Sequence, residues 1–355
     1  MRAVHQLVPN LAVGDAISQQ VLALRAMLRR LGFASEVFAE HVHSTLTNEA
    51  RPAKEVRAID PEAVLVYHFS IGSEVTDFYR LLPNRRVLVY HNITPPEFFR
   101  GVNEKVAALC ARGRDELAAL RPTATMALAD SEFNRGELVE LGYMKTAVLP
   151  IVLDPSRFDH APVAKLERPY RDGHVNFLHV GRVVPNKKLE DVLKVFWFYR
   201  RKINPDSRLF LVGIDTDTEI YSFALRELVD ELALPGVVFA GGVSPRELVT
   251  YYRLAHVYLC MSEHEGFCAP LVEAMHFGVP VVAYAAGAVP ETVGDGAVLV
   301  REKRFAEIAE VVAMVLEDEG LRGRLVERGR ARAAAFTAEA LLPRLRELLP
   351  EITGG

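Results

Sequence analysis

The sequence predicts an α/β protein of two domains, each a parallel sheet wound with helices, on three observations. At 355 residues the chain is too long for one ordinary core and suits two domains of about 150 to 200 residues each. Segments of strand period and helix period alternate along most of it, as successive β–α units require. The clearest unit runs through SEHEGFCAPLVEAMHFGVPVVAYAAGAVP, Ser262 to Pro290. The β-branched runs VYLC and PVVAY flank a loop and a helix expected from about Pro270 to Phe277, with Pro270 in its first turn and Gly278 as its stop.

In chain order, a first strand is expected over Val4 to Val8. A loop with Gly14 and Asp15 follows, then a helix with one apolar face at Ile17, Val21, Leu24, Leu28 and Leu31, ended by Gly32. Asp15 reads by itself as the helix N-cap, while Gly14 lets backbone approach a ligand closely. AVLVYHFS, the helical GSEVTDFYRLLP and VLVYHN continue the alternation, with His68 and His91 at the strand ends. A lone strand-end histidine is ordinarily structural, and His68 is read that way.

A helix from Val102 to Leu120, the strand TMALAD and a helix capped by Ser131 come next, and Arg135 in that helix reads as solvated. Asp154 to Gly173, crowded with prolines and charges, reads as a linker. The second half opens with VNFLHVG, after which Arg182 and Lys187 stand between a strand's carboxyl end and a helix. Two fixed positive charges there form a phosphate clamp by position and charge; the alternative is a basic solvated loop. Further along, Ser244 caps a helix with Pro245 at its first position. Beyond Val300 the chain reads as helical.

Composition bounds the function. Half the residues are hydrophobic and 25% charged, as in a globular protein, and a net charge of −4 gives no whole-chain reason to expect nucleic-acid binding. Cys110, Cys260 and Cys268 lack metal-type spacing and point to reduced thiols, hence a cytoplasmic location. MRAVHQLVPN has no apolar run of signal-peptide length, which puts the mature start at or near Met1. The longest uncharged stretch, Ala274 to Pro290, is interrupted by Pro280 and glycines and does not read as a membrane span.

Glu265 belongs to the loop and Glu273 to the helix of the unit described first. EGF before a proline, EAM, G-x-P-V-V-A, and Pro290–Glu291 together resemble the signature of the retaining glycosyltransferases of family 4. The resemblance implies the GT-B fold: two Rossmann-like domains facing across a cleft, with a C-terminal helix crossing back to the N-terminal domain. It is strong over about Asn176 to Val300 and weaker before. It implies an acceptor-binding domain over 1–160, a nucleotide-sugar donor domain over 161–335, and the returning helix over 336–355.

The same resemblance assigns roles. The E-x7-E pair holds the donor, Glu265 facing the transferred sugar's hydroxyls and Glu273 the ribose. Backbone amides around Gly266, Phe267 and Cys268 contact the sugar, and Cys268, like Lys188, stands where the family often has glycine. The G-R-x-x-x-x-K order of Arg182 and Lys187 resembles the diphosphate site. HNITPPEFF resembles the segment in which a histidine, here His91, approaches donor sugar or acceptor. Gly14 and Asp15 match the loop beside donor phosphate and acceptor, without the family's paired glycines, and the base would lie near Gly242 and Val243.

The implied activity is retaining transfer from a nucleotide-sugar to a hydroxyl acceptor, saccharide, lipid-linked or small, with no cofactor or metal. The DTDT at Asp215 to Thr218 reads as a turn and cap, not a metal motif. Glu265, Lys187, Arg182 and His91 are the expected catalytic set. Still open are a GT-B sugar-nucleotide epimerase, a phosphorylase, or a catalytically silent nucleotide-binding scaffold. Peripheral membrane contact also stays open, although no basic amphipathic stretch near the N-terminus calls for it.

Overall fold

Runs that are apolar at consecutive positions form strands covered on both faces, and such strands pair in parallel with helices on each side. The structure is a computed structural model that describes residues 3–355, in two compact units. Met1, expected near the mature start, lies outside the described residues.

Unit 1 takes the chain through Glu97, then Lys105–Asp154 and Phe336–Gly355. Its strands are β1 (Val4–Leu11), β2 (Val37–Val42), β3 (Arg51–Pro52), β4 (Val64–Phe69), β5 (Arg85–Tyr90), β6 (Met126–Ala129) and β7 (Thr146–Val148). They form a parallel sheet in the order β3-β2-β1-β4-β5-β6-β7. Unit 2 comprises Phe98–Glu104 and Pro155–Ala335. It contains β8 (Val175–Val180), β9 (Ser207–Val212), β10 (Val237–Gly241), β11 (Val257–Cys260), β12 (Val281–Tyr284) and β13 (Ala297–Val300), ordered β10-β9-β8-β11-β12-β13 and parallel. Both units therefore have the Rossmann-like order, which reverses once: at β1/β4 in unit 1 and at β8/β11 in unit 2. Ligands of such sheets bind outside the carboxyl ends of the strands at that reversal.

The Ala16–Arg30 helix starts as expected, with Asp15 Oδ2 accepting from Ser18 N at 2.8 Å. It buries Val21, Leu24, Met27 and Leu28. The Ala338–Thr353 helix, capped by Thr337, returns to unit 1. Its Leu341, Leu345, Leu348 and Ile352 share a core with Val4, Leu24, Val64 and Val87.

Two readings of chain organisation differ from the structure. Asp154 to Gly173 is not an irregular linker: it forms short helical turns at Pro155–Phe158, Ala164–Glu167 and Arg168–Tyr170. Each is too short to show a period, so the segment reads as structureless in sequence. The turns are fixed by unit 2, with the Phe158 ring 5.1 Å from that of Phe277 and Tyr170 4.9 Å from Phe210. The change of unit accordingly falls after Asp154. The helix expected from Val102 begins at Glu104, because Phe98–Glu104 belongs to unit 2, where Asn103 Nδ2 donates to Asp217 O at 2.8 Å. Among the described residues, no helix is long and apolar enough to cross a membrane.

Candidate active site

At the unit 2 reversal, the loop after β8 and the loop after β11 are laced together. Glu263 N donates to Asn186 O at 2.9 Å, and Asn186 Nδ2 donates to His264 O at 3.0 Å. Between them lies an ion pair in which Lys187 Nζ donates to both oxygens of Glu265, at 2.6 and 2.7 Å. The side chains are 17% and 6% exposed, so solvent screens the pair little. Burial by itself pushes the Glu265 carboxyl up, but the Lys187 ammonium and hydrogen bonds from Lys187, Ser262 and Cys268 outweigh it and hold it below the usual range. For Lys187 burial works downward, and Glu265 more than offsets it, leaving the ammonium raised.

The Glu265 backbone is also fixed. Its carbonyl accepts from Ala288 N at 2.9 Å, and a β-carbon on Gly287, at φ +54°, would stand 2.6 Å from that carbonyl oxygen. Only glycine allows this approach. Thr292 Oγ1 holds Phe267 O at 2.6 Å. Lys303 bridges Asp191 and Glu263, each at 2.7 Å, behind the same loops.

Glu273 lies in the Ala269–His276 helix, buried, with Tyr252 Oη donating to it at 2.7 Å and Arg157 3.9 Å away. Burial raises its carboxyl, and Tyr252 and Arg157 offset that only in part. Gly266 is half-buried, while Phe267 and Cys268 are buried. Arg182 is exposed and donates to Thr216 O at 3.1 Å. Gly242 is exposed and Val243 half-buried, before a helix whose Ser244–Glu247 capping box is complete. In the DTDT turn Thr218 precedes the helix, but its Oγ1 bonds to Val183 O at 2.5 Å and not to the helix.

Two residues that differ from the expected glycine have left-handed backbone: Lys188 at φ +51° and Cys268 at φ +70°. His179, beneath the Gly181 turn, donates from Nδ1 to Leu259 O at 3.0 Å, and its Nε2 has no hydrogen-bond partner among the described residues. Burial holds this imidazole down at about 4, so it is neutral and Nε2 is a bare acceptor.

In unit 1, Gly14 is exposed at φ +78° and Asp15 is engaged as the N-cap. His91 is buried, and both its ring nitrogens are bonded. They lie in an array that crosses four adjacent strands in sheet order: Gln6 in β1, His68 in β4, His91 after β5 and Asp130 after β6. Gln6 Oε1 to His68 Nε2 is 2.8 Å, His68 Nδ1 to His91 Nε2 is 2.8 Å, and His91 Nδ1 to Asp130 Oδ2 is 2.9 Å.

A backbone carbonyl sets the direction of this array. Val21 O can only accept, so the Gln6 atom 3.0 Å from it is the amide nitrogen, and Oε1 faces His68. His68 must then carry its proton on Nε2. Burial pushes its imidazole well below the ordinary value, so it is neutral and Nδ1 accepts from His91 Nε2–H. One more proton lies between His91 Nδ1 and Asp130. Asp130 Oδ1 has no hydrogen-bond partner among the described residues. Gln6, Asp130, Asn186, Tyr252, Arg157, Lys303 and His179 were not singled out from sequence, because their partners are remote in the chain.

Comparison with known proteins adds three findings. Residues 168–332 match the model for "Glycosyl transferases group 1". The O-antigen chain mannosyltransferase B of Escherichia coli is 26% identical over 226 residues, 61% of this chain and 58% of that protein. The GDP-mannose-dependent alpha-(1-6)-phosphatidylinositol monomannoside mannosyltransferase of Mycobacterium tuberculosis is 31% identical over 204 residues, 54% and 51% of the two chains. The chain thus spans between half and three fifths of the length of these relatives. Among solved structures, Anabaena Alr3699/HepE in complex with UDP-glucose superimposes with a TM-score of 0.77 at 19% identity, covering 98% of this chain and 99% of that one. That likeness shows the GT-B fold.

Proposed function

We propose that the protein is a retaining glycosyltransferase that moves a sugar from a nucleotide-sugar donor, held by unit 2, to a hydroxyl acceptor recognised by unit 1. The observation that carries the reading is the Lys187–Glu265 pair, which joins the loops after β8 and β11 at the sheet reversal. The group 1 match over residues 168–332 covers both loops and supports it.

In transfer the bond from the sugar's anomeric carbon to the diphosphate breaks, and a bond to the acceptor oxygen forms. The acceptor's proton passes to the departing phosphate. Charge growing on the diphosphate is met by Lys187 and Arg182, with no divalent metal, while Glu265 orients the sugar and Glu273 binds the ribose. A donor phosphate would compete with Glu265 for Lys187, so binding exchanges one ion pair for another inside a poorly screened site. In the free protein Lys187 keeps the proton affinity of Glu265 low, so the carboxylate stands ionised as an acceptor for incoming sugar hydroxyls.

Thermal unfolding with GDP, UDP, ADP and dTDP, then with GDP-mannose and UDP-glucose, tests this. These sugars come first because relatives and structural neighbours carry them in their names. A nucleotide at a hundred times its dissociation constant adds about 2.7 kcal/mol of stability. The expected result is a shift with one base that Lys187→Ala abolishes. No shift with any of them would overturn the donor site. Glu265→Gln should lower turnover more than nucleotide affinity, and the reverse pattern would give Glu265 a binding role instead.

A further inference from the structure

Cys260 ends β11 and Cys268 precedes the Ala269–His276 helix, and both are buried free thiols. The two sulfurs and a Glu265 oxygen all lie within 4.8 Å of one another. Cys110, the third, lies in the Glu104–Leu120 helix of unit 1. Cys260 also donates to Ser262 Oγ at 3.3 Å.

The two sulfurs are chemically unequal. The neighbouring Cys268 thiol holds the Cys260 thiol below its ordinary value despite burial, while Cys260 and then burial push Cys268 well above. Cys260 is thus the better nucleophile and Cys268 the proton-bearing partner. Backbone preference does not explain Cys268 either. At φ +70° a side chain is strained, and glycine would stand there freely.

We propose that Cys260 and Cys268 form a redox-modification site, at which a peroxide joins them in a disulfide that disarms Glu265. Cys260 sulfur attacks one peroxide oxygen: an S–O bond forms, the O–O bond breaks, and the other oxygen leaves as water with the thiol proton. Cys268 sulfur then attacks the resulting sulfenic acid. The S–S bond forms, the S–O bond breaks, and a second water leaves. Two thiols are oxidised and one peroxide is reduced to two waters.

The consequence reaches Glu265 directly. The sulfurs must close to about 2.05 Å, and Cys268, whose sulfur lies within 4.8 Å of a Glu265 oxygen, loses its S–H. The closed loop holds Gly266 and Phe267, so the backbone on the donor side moves with it. A thiol reductant reverses the change by exchange. The same three atoms also make a soft-metal donor set, but Lys187 Nζ already occupies both Glu265 oxygens, which favours the disulfide.

The loss of activity rests on the glycosyltransferase reading; the cross-link does not. The full-length protein is treated with hydrogen peroxide in the presence of a chelator, then mapped by mass spectrometry without reduction. The expected result is a linked Cys260–Cys268 peptide and a fall in titratable thiols from three to one, with Cys110 spared. Transfer activity should fall by about tenfold or more, as on loss of an orienting donor, and return with dithiothreitol. Cys260→Ala should keep its starting activity and lose both the link and the reversible inactivation; Cys110→Ala should keep both. The site is overturned if all three thiols oxidise alike, if Cys260→Ala is inactivated and rescued as the parent is, or if the linked protein is fully active. A mapped link in a protein with no transfer activity upholds the thiol site and counts against the glycosyltransferase reading instead.

Discussion

The two units share one winding and put opposite chemistry at its reversal. In unit 1 the polar groups lie within the sheet: Gln6, His68, His91 and Asp130 cross β1, β4, β5 and β6 as a chain of hydrogen bonds whose direction a backbone carbonyl fixes. In unit 2 the charges lie in loops, and Lys187 and Glu265 meet as a full ion pair beyond the strand ends. A chain of buried hydrogen bonds in which each side chain holds the next rigidifies the sheet it crosses. A buried ion pair costs desolvation that its own attraction must return, so it is replaceable by a better-matched charged ligand. The comparison teaches that unit 2 is poised for exchange and unit 1 for fixity.

The largest test of that contrast is Lys187→Ala, which strands a buried carboxylate. We expect a loss of about 3–5 kcal/mol in unit 2 stability. Catalysis should fall a hundredfold or more, roughly what one preorganised charge contributes. Calorimetry and turnover measure the two effects; a loss under about threefold in rate with the fold intact would remove Lys187 from the site. Next comes Gly287→Ala. The added carbon meets the Glu265 carbonyl at 2.6 Å and forces that loop to shift, so turnover should drop by about tenfold or more while unit 1 melts unchanged.

In unit 1 the test is a pair of substitutions. Asp130→Leu leaves His91 Nδ1 unpaired and should cost about 1–3 kcal/mol. Asp130→Asn should be nearly neutral, because its amide N–H supplies the one hydrogen the array needs at that position. Equal losses in denaturant unfolding would contradict the proton assignment.

The smallest effect has the opposite sign. The Glu273 carboxyl is raised in the folded state, so the folded protein binds that proton more tightly, and stability falls as pH rises from about 4.3 through the folded value. Glu273→Gln should therefore raise the melting point of unit 2 near neutral pH by a few degrees, roughly 2–4 °C per kcal/mol, while weakening nucleotide binding. Glu265 and Lys187 run the other way. Glu265 adds stability above about pH 4.3 that is lost as pH falls through its depressed value, and Lys187 adds stability below about pH 10.4 that is lost as pH rises through its raised one. A melting profile of Lys187→Ala against pH should lack both edges.

What the sequence disclosed follows the range of the interactions. Strand and helix periods are local, and most strands of both sheets were legible from them, whereas Val37–Val42, Arg51–Pro52 and Ala297–Val300 were not singled out. Loop positions of Arg182, Lys187 and Glu265 were legible for the same reason. The direct bond between Lys187 and Glu265 was not, since 78 positions separate them. His91 stood out through its neighbours in HNITPPEFF, and His68 read as structural. That the two share one hydrogen-bonded array with Gln6 and Asp130 depends on strand order, which no local pattern states. The short turns of Pro155–Tyr170 failed for want of length. Lys188 and Cys268 were visible only as departures from glycine, and their left-handed backbone gives that departure its physical meaning.

The return of the Ala338–Thr353 helix to unit 1 bears on how the protein is made. Unit 2 is complete once synthesis passes Ala335, but the unit 1 core lacks Leu341, Leu345, Leu348 and Ile352 until the last helix emerges. The first sheet to be synthesised is thus the last to close. Meanwhile its apolar face around Val4, Val64 and Val87 awaits partners about 250 to 350 positions downstream, a closure of high contact order, which is slow and leaves apolar surface uncovered in the interval.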